Sequence, residues 1–215
     1  MAEATVKTTD FVHRFLPAPK VADAPTLLIL HGTGGNENDL LPLGQALLPE
    51  ANMLSLRGKV LENGMPRFFR RLAEGVFDQA DLQFRTIELA DFLTEAADRY
   101  GFDAKRLIAV GYSNGANIAA SLLLRRPEKL AAAALFHPMV PFVPETLPDL
   151  TGKGIFIGAG KNDPIVPVAN TVNLASLLTE AGAEVVTQWH QGGHSLTQAE
   201  VQAAQTWLQQ QRRSA

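Results

Sequence analysis

The sequence contains no cysteine among its 215 residues. This absence excludes disulfide bonds, zinc sites built on cysteine, thiol redox pairs and a thiolate nucleophile. If the protein uses a nucleophilic side chain, we therefore expect the attacking atom to be an oxygen.

Long apolar segments and targeting signals are also lacking. The longest unbroken apolar run, residues 130–136, is far shorter than the ~20 residues that a transmembrane helix needs. The N-terminal residues have neither the basic start nor the apolar stretch of a secretory signal, and no Asn-x-Ser/Thr sequon occurs. These absences predict a cytoplasmic protein with no stable membrane anchoring.

No block of positive charge stands out, since 19 Lys and Arg residues face 22 Asp and Glu residues and the net charge is −3. We therefore expect no nucleic-acid partner. Hydrophobic residues make up 46% of the chain, which is enough for a sizeable core. The length predicts a single domain over residues 1–215.

Short apolar segments alternate with longer helical patterns along the chain. The predicted strands are 26–30, 53–56, 107–110, 132–136, 155–157 and 184–189, with residues 9–16 as a further antiparallel edge strand. The predicted helices are 39–48, 81–100, 114–125, 168–181 and 197–211. Apolar strands joined by helices indicate an α/β fold with a doubly wound, mostly parallel sheet. In such a sheet the functional site lies beyond the carboxyl ends of the strands.

A G-x-S-x-G motif follows the strand at 107–110. It reads Gly111-Tyr112-Ser113-Asn114-Gly115 and stands between a predicted strand and a predicted helix. In this setting a serine on a sharp turn presents its hydroxyl above the sheet at the positive end of the helix. The motif makes Ser113 the candidate nucleophile, while an idle serine in a glycine-rich turn is the alternative.

The strand at 26–30 is followed by the glycine-rich loop His31-Gly32-Thr33-Gly34-Gly35. Acyl transfer needs two N–H donors aimed at the oxygen that becomes negative. The backbone amides of Thr33 and Asn114 are the candidates. A plain flexible turn remains an alternative; a phosphate loop is disfavoured because no Lys-Ser/Thr follows. We expect His31 to brace this loop rather than act as a base.

An acid and a base follow later strands in the order Ser, Asp, His that the fold requires. Asp163 comes after the strand at 155–157, and His194 comes after the strand at 184–189. Asp149 is an alternative acid, but it precedes its strand and so lies at the opposite edge. His190 is an alternative base. His190 and His194 have a spacing found in zinc sites. They lie on a strand and a loop rather than on a helix, and they lack the glutamate of zinc proteases, so no metal or other cofactor is predicted.

Candidate substrate contacts are harder to place. His137 follows the strand at 132–136 near the predicted mouth, where it could line the site or simply pack in the loop, and Met139 is close by. Residues 57–71 are expected to overhang the site and contain five basic residues, of which Arg70 is a candidate for an anionic substrate group. Met65 and Phe69 are candidates for an apolar pocket. A solvated loop with its charges neutralised by nearby acids is the alternative for this segment.

These motifs together resemble the α/β-hydrolase superfamily, and more closely its bacterial phospholipase/carboxylesterase family, in a branch described as hydroquinone-responsive hydrolases. The resemblance covers nearly the whole chain. It is carried by residues 31–35, 67–69, 74–78, 81–86, 111–117, 137–139, 162–164 and 193–194.

The resemblance implies a minimal α/β-hydrolase fold without a separate lid domain. It implies Ser113 as nucleophile, Asp163 as acid, His194 as base, and Thr33 and Asn114 as oxyanion-hole amides. It is also compatible with a homodimer. The chain departs from commoner members at Asn114, where they have glutamine, so their preference for acyl length need not transfer.

The expected activity is a serine carboxylesterase acting on small to medium acyl or aryl esters. A thioesterase or lysophospholipase would use the same residues. Familiar dienelactone-type hydrolases use a cysteine nucleophile, which this chain lacks. A non-catalytic ligand receptor on the same fold is the alternative from a different class.

Overall fold

The computed structural model describes residues 10–19 and 24–214. The elements follow one another as β1 (His13–Leu16), β2 (Thr26–Leu30), α1 (Leu41–Leu47), β3 (Asn52–Leu56), β4 (Val60–Glu62), β5 (Met65–Arg67), β6 (Arg71–Ala73), β7 (Val76–Phe77), α2 (Gln79–Tyr100), β8 (Leu107–Tyr112), α3 (Asn114–Arg125), β9 (Ala132–Phe136), β10 (Gly154–Gly160), α4 (Val168–Glu180), β11 (Glu184–His190) and α5 (Gln198–Ser214). Short 3₁₀ turns at Ala104–Arg106 and Pro127–Lys129 precede β8 and β9.

The central sheet has seven strands in the order β1-β3-β2-β8-β9-β10-β11. Only β1 runs antiparallel to its neighbour, and the other pairs are parallel. After β2 the chain adds β3 on one side of it, and from β8 onwards the strands follow one another on its other side. The crevice between the ends of β2 and β8 is therefore the switch point where ligands bind in open α/β sheets.

The central strands are buried on both faces, so their side chains feed two cores. Leu28 and Leu30 of β2 pack into the core that α2, α3 and α4 cover. Leu27 and Ile29 point the other way, into the core beneath α1 and α5 that contains Trp207. This two-sided burial explains why β2 is a continuous apolar run rather than an alternating one.

The predicted fold class is confirmed, a mostly parallel sheet with flanking helices. Several strands are longer than their apolar residues alone indicate. In β10 the flanking Gly154 and Gly160 remain in register with β11, because ladder pairing depends on the backbone and not on side chains. The predicted edge strand is present as His13–Leu16, and its expected first residue lies outside the described residues.

The segment between β3 and α2 forms two small hairpins, β4–β5 and β6–β7. It is anchored to the loop after β2 because Gly34 N–H donates to the carbonyl of Pro66 at 2.9 Å. Phe68 and Phe69 between the hairpins are fully buried. The segment expected to overhang the site is thus packed against the sheet. No helix among the described residues is long and apolar enough to cross a membrane.

Candidate active site

Ser113 lies on a sharp turn between β8 and α3. Its φ angle is 52°, in the left-handed region that costs a residue with a side chain about 1–3 kcal/mol. The flanking glycines leave room for this turn. A Cβ on Gly111 would lie 2.6 Å from the carbonyl oxygen of Gly115, and one on Gly115 would collide with the carbonyl of Leu30. The motif glycines are therefore required by the close approach of strand and helix.

The hydroxyl of Ser113 meets the side chains of His194 and Asp163. Ser113 Oγ lies 2.8 Å from His194 Nε2, and His194 Nδ1 lies 2.7 Å from Asp163 Oδ2. The three residues come from the ends of β8, β10 and β11, so the parallel sheet brings together groups that lie 81 and 31 positions apart. This is the geometry of a nucleophile, a base and an orienting acid.

The Asp163 carboxylate is fixed by its own turn. Its Oδ1 accepts hydrogen bonds from the backbone N–H groups of Ile165 and Val166, at 2.8 and 3.0 Å. Burial acts to raise the pKa of Asp163, but the backbone donors and the histidine contacts outweigh it, so the pKa lies below its usual range. Asp163 is therefore held as an anion behind His194.

The loop that carries His194 is held at both ends. Tyr112 donates its hydroxyl to the carbonyl of His194 at 2.6 Å. On the other side Gly160, at the end of β10, has no Cβ, and one there would collide with the carbonyls of Gly192 and Gly193. The loop can therefore approach β10 closely enough to place His194 beside Asp163.

The two predicted oxyanion donors belong to the loop after β2 and to the start of α3, on either side of the switch point. Asn114 is the first residue of α3, so its N–H precedes the first intrahelical bond, which runs from Asn117 N–H to Ser113 O. In the loop after β2, the N–H groups of Gly34 and Gly35 are engaged with carbonyls. Thr33 N–H takes part in no such loop bond among the described residues. Both amides belong to residues that line the cleft over Ser113.

His31 braces the loop after β2. One ring nitrogen lies 2.6 Å from the carbonyl of Gly32, and the other accepts the N–H of Gly58 at 3.0 Å. Since Nε2 accepts, the ring proton is on Nδ1 and is donated to Gly32. Burial lowers the pKa of His31, which favours this neutral form. Its role in the structure is therefore to support the loop.

The cleft above Ser113 has a volume of about 290 Å³. This is at the lower end of the range for small-molecule sites, which are about 300–1,000 Å³. Its walls combine apolar side chains with polar groups around the serine. They comprise Thr33, Arg67, Arg71, Glu74, Gly75, Phe77, Tyr112, Asn114, Asn117, His137, Met139, Ile165, Val166 and His194.

The predicted substrate contacts are only partly brought together. Met139 and His137 border the cleft, although the His137 side chain is fully buried beneath it. Phe69 does not reach the cleft, because it is buried against Phe77 with ring centroids 5.0 Å apart. Arg70 also lies outside, and its largely exposed side chain pairs with acids at the start of α2. Met65 lies against Gly34 outside the cleft lining.

The basic residues of the 57–71 segment are largely neutralised by acids. Glu37, Glu88, Glu62, Asp78 and Asp81 are the partners of the five basic side chains. This agrees with the solvated-loop alternative rather than with a broad basic rim. Neutralisation is incomplete only at the cleft wall, where Arg67 and Arg71 share the single carboxylate of Glu62.

No sequence pattern assigns a role at the site to two of its buried groups. Arg67 is 3% exposed and donates to Thr33 Oγ1 at 2.6 Å, which ties the predicted oxyanion loop to β5. Glu200 is fully buried and lies behind Asp163 near His137. The pattern Thr197-x-x-Glu200 is a helix capping box, and Glu200 does accept the Thr197 N–H at 2.9 Å. The capping signal gave no indication that the same carboxylate faces a histidine.

Two overlapping groups of side chains bring potential metal ligands together. They are His137, His190 and Glu200, and His137, Asp163 and His194, with ligand atoms within 4.8 Å of one another. A ligating histidine nitrogen must carry no proton. His190 Nδ1 accepts the N–H of Gly192 at 2.9 Å, so its proton is on Nε2. His137 Nδ1 is hydrogen-bonded to Asp163 at 3.0 Å, whereas His137 Nε2 lies 3.2 Å from Glu200 Oε1 in an ion-pair contact without hydrogen-bond geometry.

Comparisons with known proteins agree with this site. The chain is 54% identical to MhqD of Bacillus subtilis, a protein named as a hydrolase, over 86% of this chain and 92% of that one. It is similar to the crystal structure of a Bacillus cereus carboxylesterase, with 54% identity, a TM-score of 0.91 and 93% coverage of each chain. It is 27% identical to acyl-protein thioesterase 1 of Cryptococcus neoformans, over 69% of this chain and 70% of that one.

The sequence also matches the dienelactone hydrolase family over residues 56–211, which contain the serine, the aspartate and the histidine. With the fold and the relatives, this match places the protein among the α/β-hydrolases and supports a hydrolase activity. The chain belongs to the dienelactone hydrolase family.

Proposed function

We propose that this protein is a serine carboxylesterase that hydrolyses small to medium acyl or aryl esters through an acyl-enzyme on Ser113. The observation that carries the proposal is the unbroken series of contacts from Ser113 Oγ to His194 and on to Asp163, at 2.8 and 2.7 Å. The cleft volume of about 290 Å³ favours compact substrates.

In the first half-reaction His194 Nε2 takes the Ser113 proton while Oγ forms a bond to the ester carbonyl carbon. The carbonyl oxygen becomes negative, and the amides of Thr33 and Asn114 stabilise it. His194 then donates its proton to the leaving alcohol as the carbon–oxygen bond breaks. Asp163 keeps the imidazole in the required tautomer and stabilises its positive form.

In the second half-reaction water attacks the acyl carbon after giving a proton to His194. The second tetrahedral oxyanion uses the same two amides. Collapse releases the carboxylic acid and returns the proton to Ser113 Oγ. Both half-reactions use the side chains of Ser113, His194 and Asp163, the two backbone amides and water.

A fluorophosphonate probe and a panel of nitrophenyl esters test the proposal. We expect the probe to modify Ser113, and Ser113→Ala to lose both labelling and turnover, the latter by on the order of 10⁴-fold or more. Ser176→Ala, on the exposed side of α4, is the matched control and should keep both. Turnover of Ser113→Ala within about tenfold of the parent would overturn the assignment.

A thioesterase is the second candidate, because acyl-protein thioesterase 1 is among the relatives. Both activities use the same acyl-enzyme, so the distinction lies in the leaving group and the acyl chain. Matched oxygen esters and thioesters of graded acyl length separate them through kcat/KM. An intact protein that the probe does not label would instead favour a non-catalytic ligand receptor.

A further inference from the structure

A second histidine binds the carboxylate that orients His194. His137 Nδ1 lies 3.0 Å from Asp163 Oδ2, the same oxygen that His194 Nδ1 contacts at 2.7 Å. On its other side His137 Nε2 lies 3.2 Å from Glu200 Oε1. The side chains of His137 and Glu200 are fully buried, and that of Asp163 is 1% exposed. His137 therefore bridges two buried carboxylates.

The two contacts decide the protonation of His137. A neutral imidazole has one N–H, so it would turn a lone pair towards one of the two carboxylates. Burial acts to lower the pKa of His137, but the nearby charges of Glu200 and Asp163 and the hydrogen bond to Asp163 outweigh it and raise the pKa above its usual value. The same contacts hold the pKa of Glu200 below its usual range, although burial acts in the opposite direction.

The bridge is anchored independently of its charges. Glu200 Oε2 accepts the N–H and the hydroxyl of Thr197, at 2.9 and 2.8 Å. His137 has a φ angle of 53° and donates its backbone N–H to the carbonyl of Gly158 at 2.8 Å. A residue other than glycine persists in this backbone region only when its surroundings fix it. Backbone and side-chain contacts thus hold His137 between the carboxylates.

We propose that His137 is a positioning residue, held as an imidazolium between Asp163 and Glu200, that fixes the Asp163 carboxylate and sets the pH range over which His194 acts as a base. The proposal deepens the serine hydrolase function above and rests on it for its kinetic consequences. Its structural part, the charge on His137, does not depend on that function.

The titratable groups around His137 come from every element packed against it. They are Asp163 after β10, Glu200 of α5, His190 of β11, Tyr112 of β8 and His194 of the last loop. Two carboxylates and one imidazolium leave a single net negative charge next to His194. The ring centroids of His137 and His194 are 5.1 Å apart, so the charge of one ring affects the proton of the other.

His137→Asn removes the charge and keeps a donor for Asp163. Asparagine also tolerates the left-handed backbone better than most residues. With two carboxylates and no imidazolium beside it, His194 should hold its proton to higher pH. We expect the acid limb of kcat/KM against pH to move up by on the order of one pH unit. A residue that served only as packing would lower the rate at every pH without moving this limb.

Glu200→Gln in the same protein restores the charge balance, because only Asp163 is then negative. The double variant His137→Asn/Glu200→Gln should therefore return the acid limb towards its original pH. His190→Asn is the matched control, since it alters a histidine on the other oxygen of Glu200 and leaves His137 between its two carboxylates, and its acid limb should stay in place. An acid limb that does not move in His137→Asn, or that Glu200→Gln fails to bring back, overturns the proposal.

Ring-nitrogen NMR of the unmodified protein tests the charge directly and does not need any variant to fold. Of the five histidines, we expect one buried ring to keep both nitrogens protonated at a pH above the ordinary histidine value of 6.5. All five rings neutral at that pH would contradict the proposal. If instead this ring is charged but no ester is hydrolysed and Ser113 is not labelled, the proposed function fails and the imidazolium bridge stands.

Discussion

The backbone N–H of Phe68 donates a hydrogen bond to the side-chain Oδ1 of Asn114 at 2.7 Å, and both residues are 1% exposed. This bond joins the segment between the two hairpins to the residue that follows Ser113. Commoner members of the resembling family have glutamine at this position, so the departure falls on a side chain that attaches the cleft wall.

Asn114→Ala leaves the Phe68 N–H buried without an acceptor. We expect the free energy of unfolding to fall by about 1–3 kcal/mol, and KM to rise as the wall loosens. Urea denaturation and ester kinetics measure the two effects. Asn173→Ala on the exposed side of α4 should change stability by less than about 0.5 kcal/mol. Equal stability of the two variants would show that the Phe68–Asn114 bond contributes nothing.

Gly115→Ala sets helix propensity against packing. Alanine in a helix is favoured over glycine by about 1 kcal/mol, but here its Cβ would collide with the carbonyl of Leu30 and lie 2.6 Å from that of His31. We expect a net loss of stability of at least about 1–3 kcal/mol together with reduced activity.

Gly101→Ala provides the comparison for Gly115→Ala. Its backbone is also strained for alanine, with a φ angle of 68°, but no atom lies within 4 Å of the added Cβ. A loss of about 1 kcal/mol with unchanged activity is expected there. A Gly115→Ala protein as stable as the parent would mean that β2 and α3 can separate at no cost.

Arg67 and Arg70 should differ sharply when each is changed to methionine. The buried Arg67 side chain donates a hydrogen bond to Thr33 Oγ1. We therefore expect Arg67→Met to loosen the oxyanion loop and to lower kcat/KM by on the order of tenfold or more. The Arg70 side chain is 62% exposed and pairs with Asp78 and Asp81 at the start of α2. The kcat/KM of Arg70→Met should therefore stay within about twofold of the parent value. Comparable losses in both variants would revive a direct role for Arg70 at the site.

The stability of the protein should depend on pH in two directions. The pKa values of Asp163 and Glu200 are lowered by folding, so the stability that they contribute is present above the ordinary carboxyl values and is lost as the pH falls. The pKa of His137 is raised, so its contribution is present below the ordinary value of 6.5 and is lost as the pH rises through the raised value.

Denaturation of the parent and of His137→Asn at a series of pH values isolates the contribution of His137 to stability. The difference in free energy of unfolding should be largest in mild acid and should shrink towards alkaline pH. Asp10→Asn, at a largely exposed surface ion pair, is a control for which little pH dependence is expected in this range. A difference for His137 that stays constant with pH contradicts a raised pKa.

Much of the fold could be predicted because its signals are local. The apolar run of β2 and the helix α3 have the bounds that were expected from pattern alone. The G-x-S-x-G turn, Asp163 and His194 each follow a predicted strand in the sequence. A parallel sheet places the carboxyl ends of its strands at one edge, so the three were expected to lie together. The contacts among the three residues are consistent with that expectation.

The substrate contacts could not be predicted in the same way. In the short segment between the two hairpins, neighbouring residues point in different directions, so Phe69 is buried in the core while Arg70 reaches solvent. No period of two or of 3.6 residues exists there to indicate which side faces the cleft. The part of Arg67 in supporting Thr33 likewise depends on a hydrogen bond between segments 34 residues apart.

The sequence by itself determined the alternation of central strands and helices, the serine turn and the exclusion of a thiol nucleophile, because apolar pattern, glycine spacing and composition are written along the chain. Only the tertiary structure decided that His137 and Glu200 stand behind Asp163. Their side chains come from the residue after β9 and from α5, which are far apart in sequence, and the charge on a buried histidine depends on the carboxylates that the fold brings close to it.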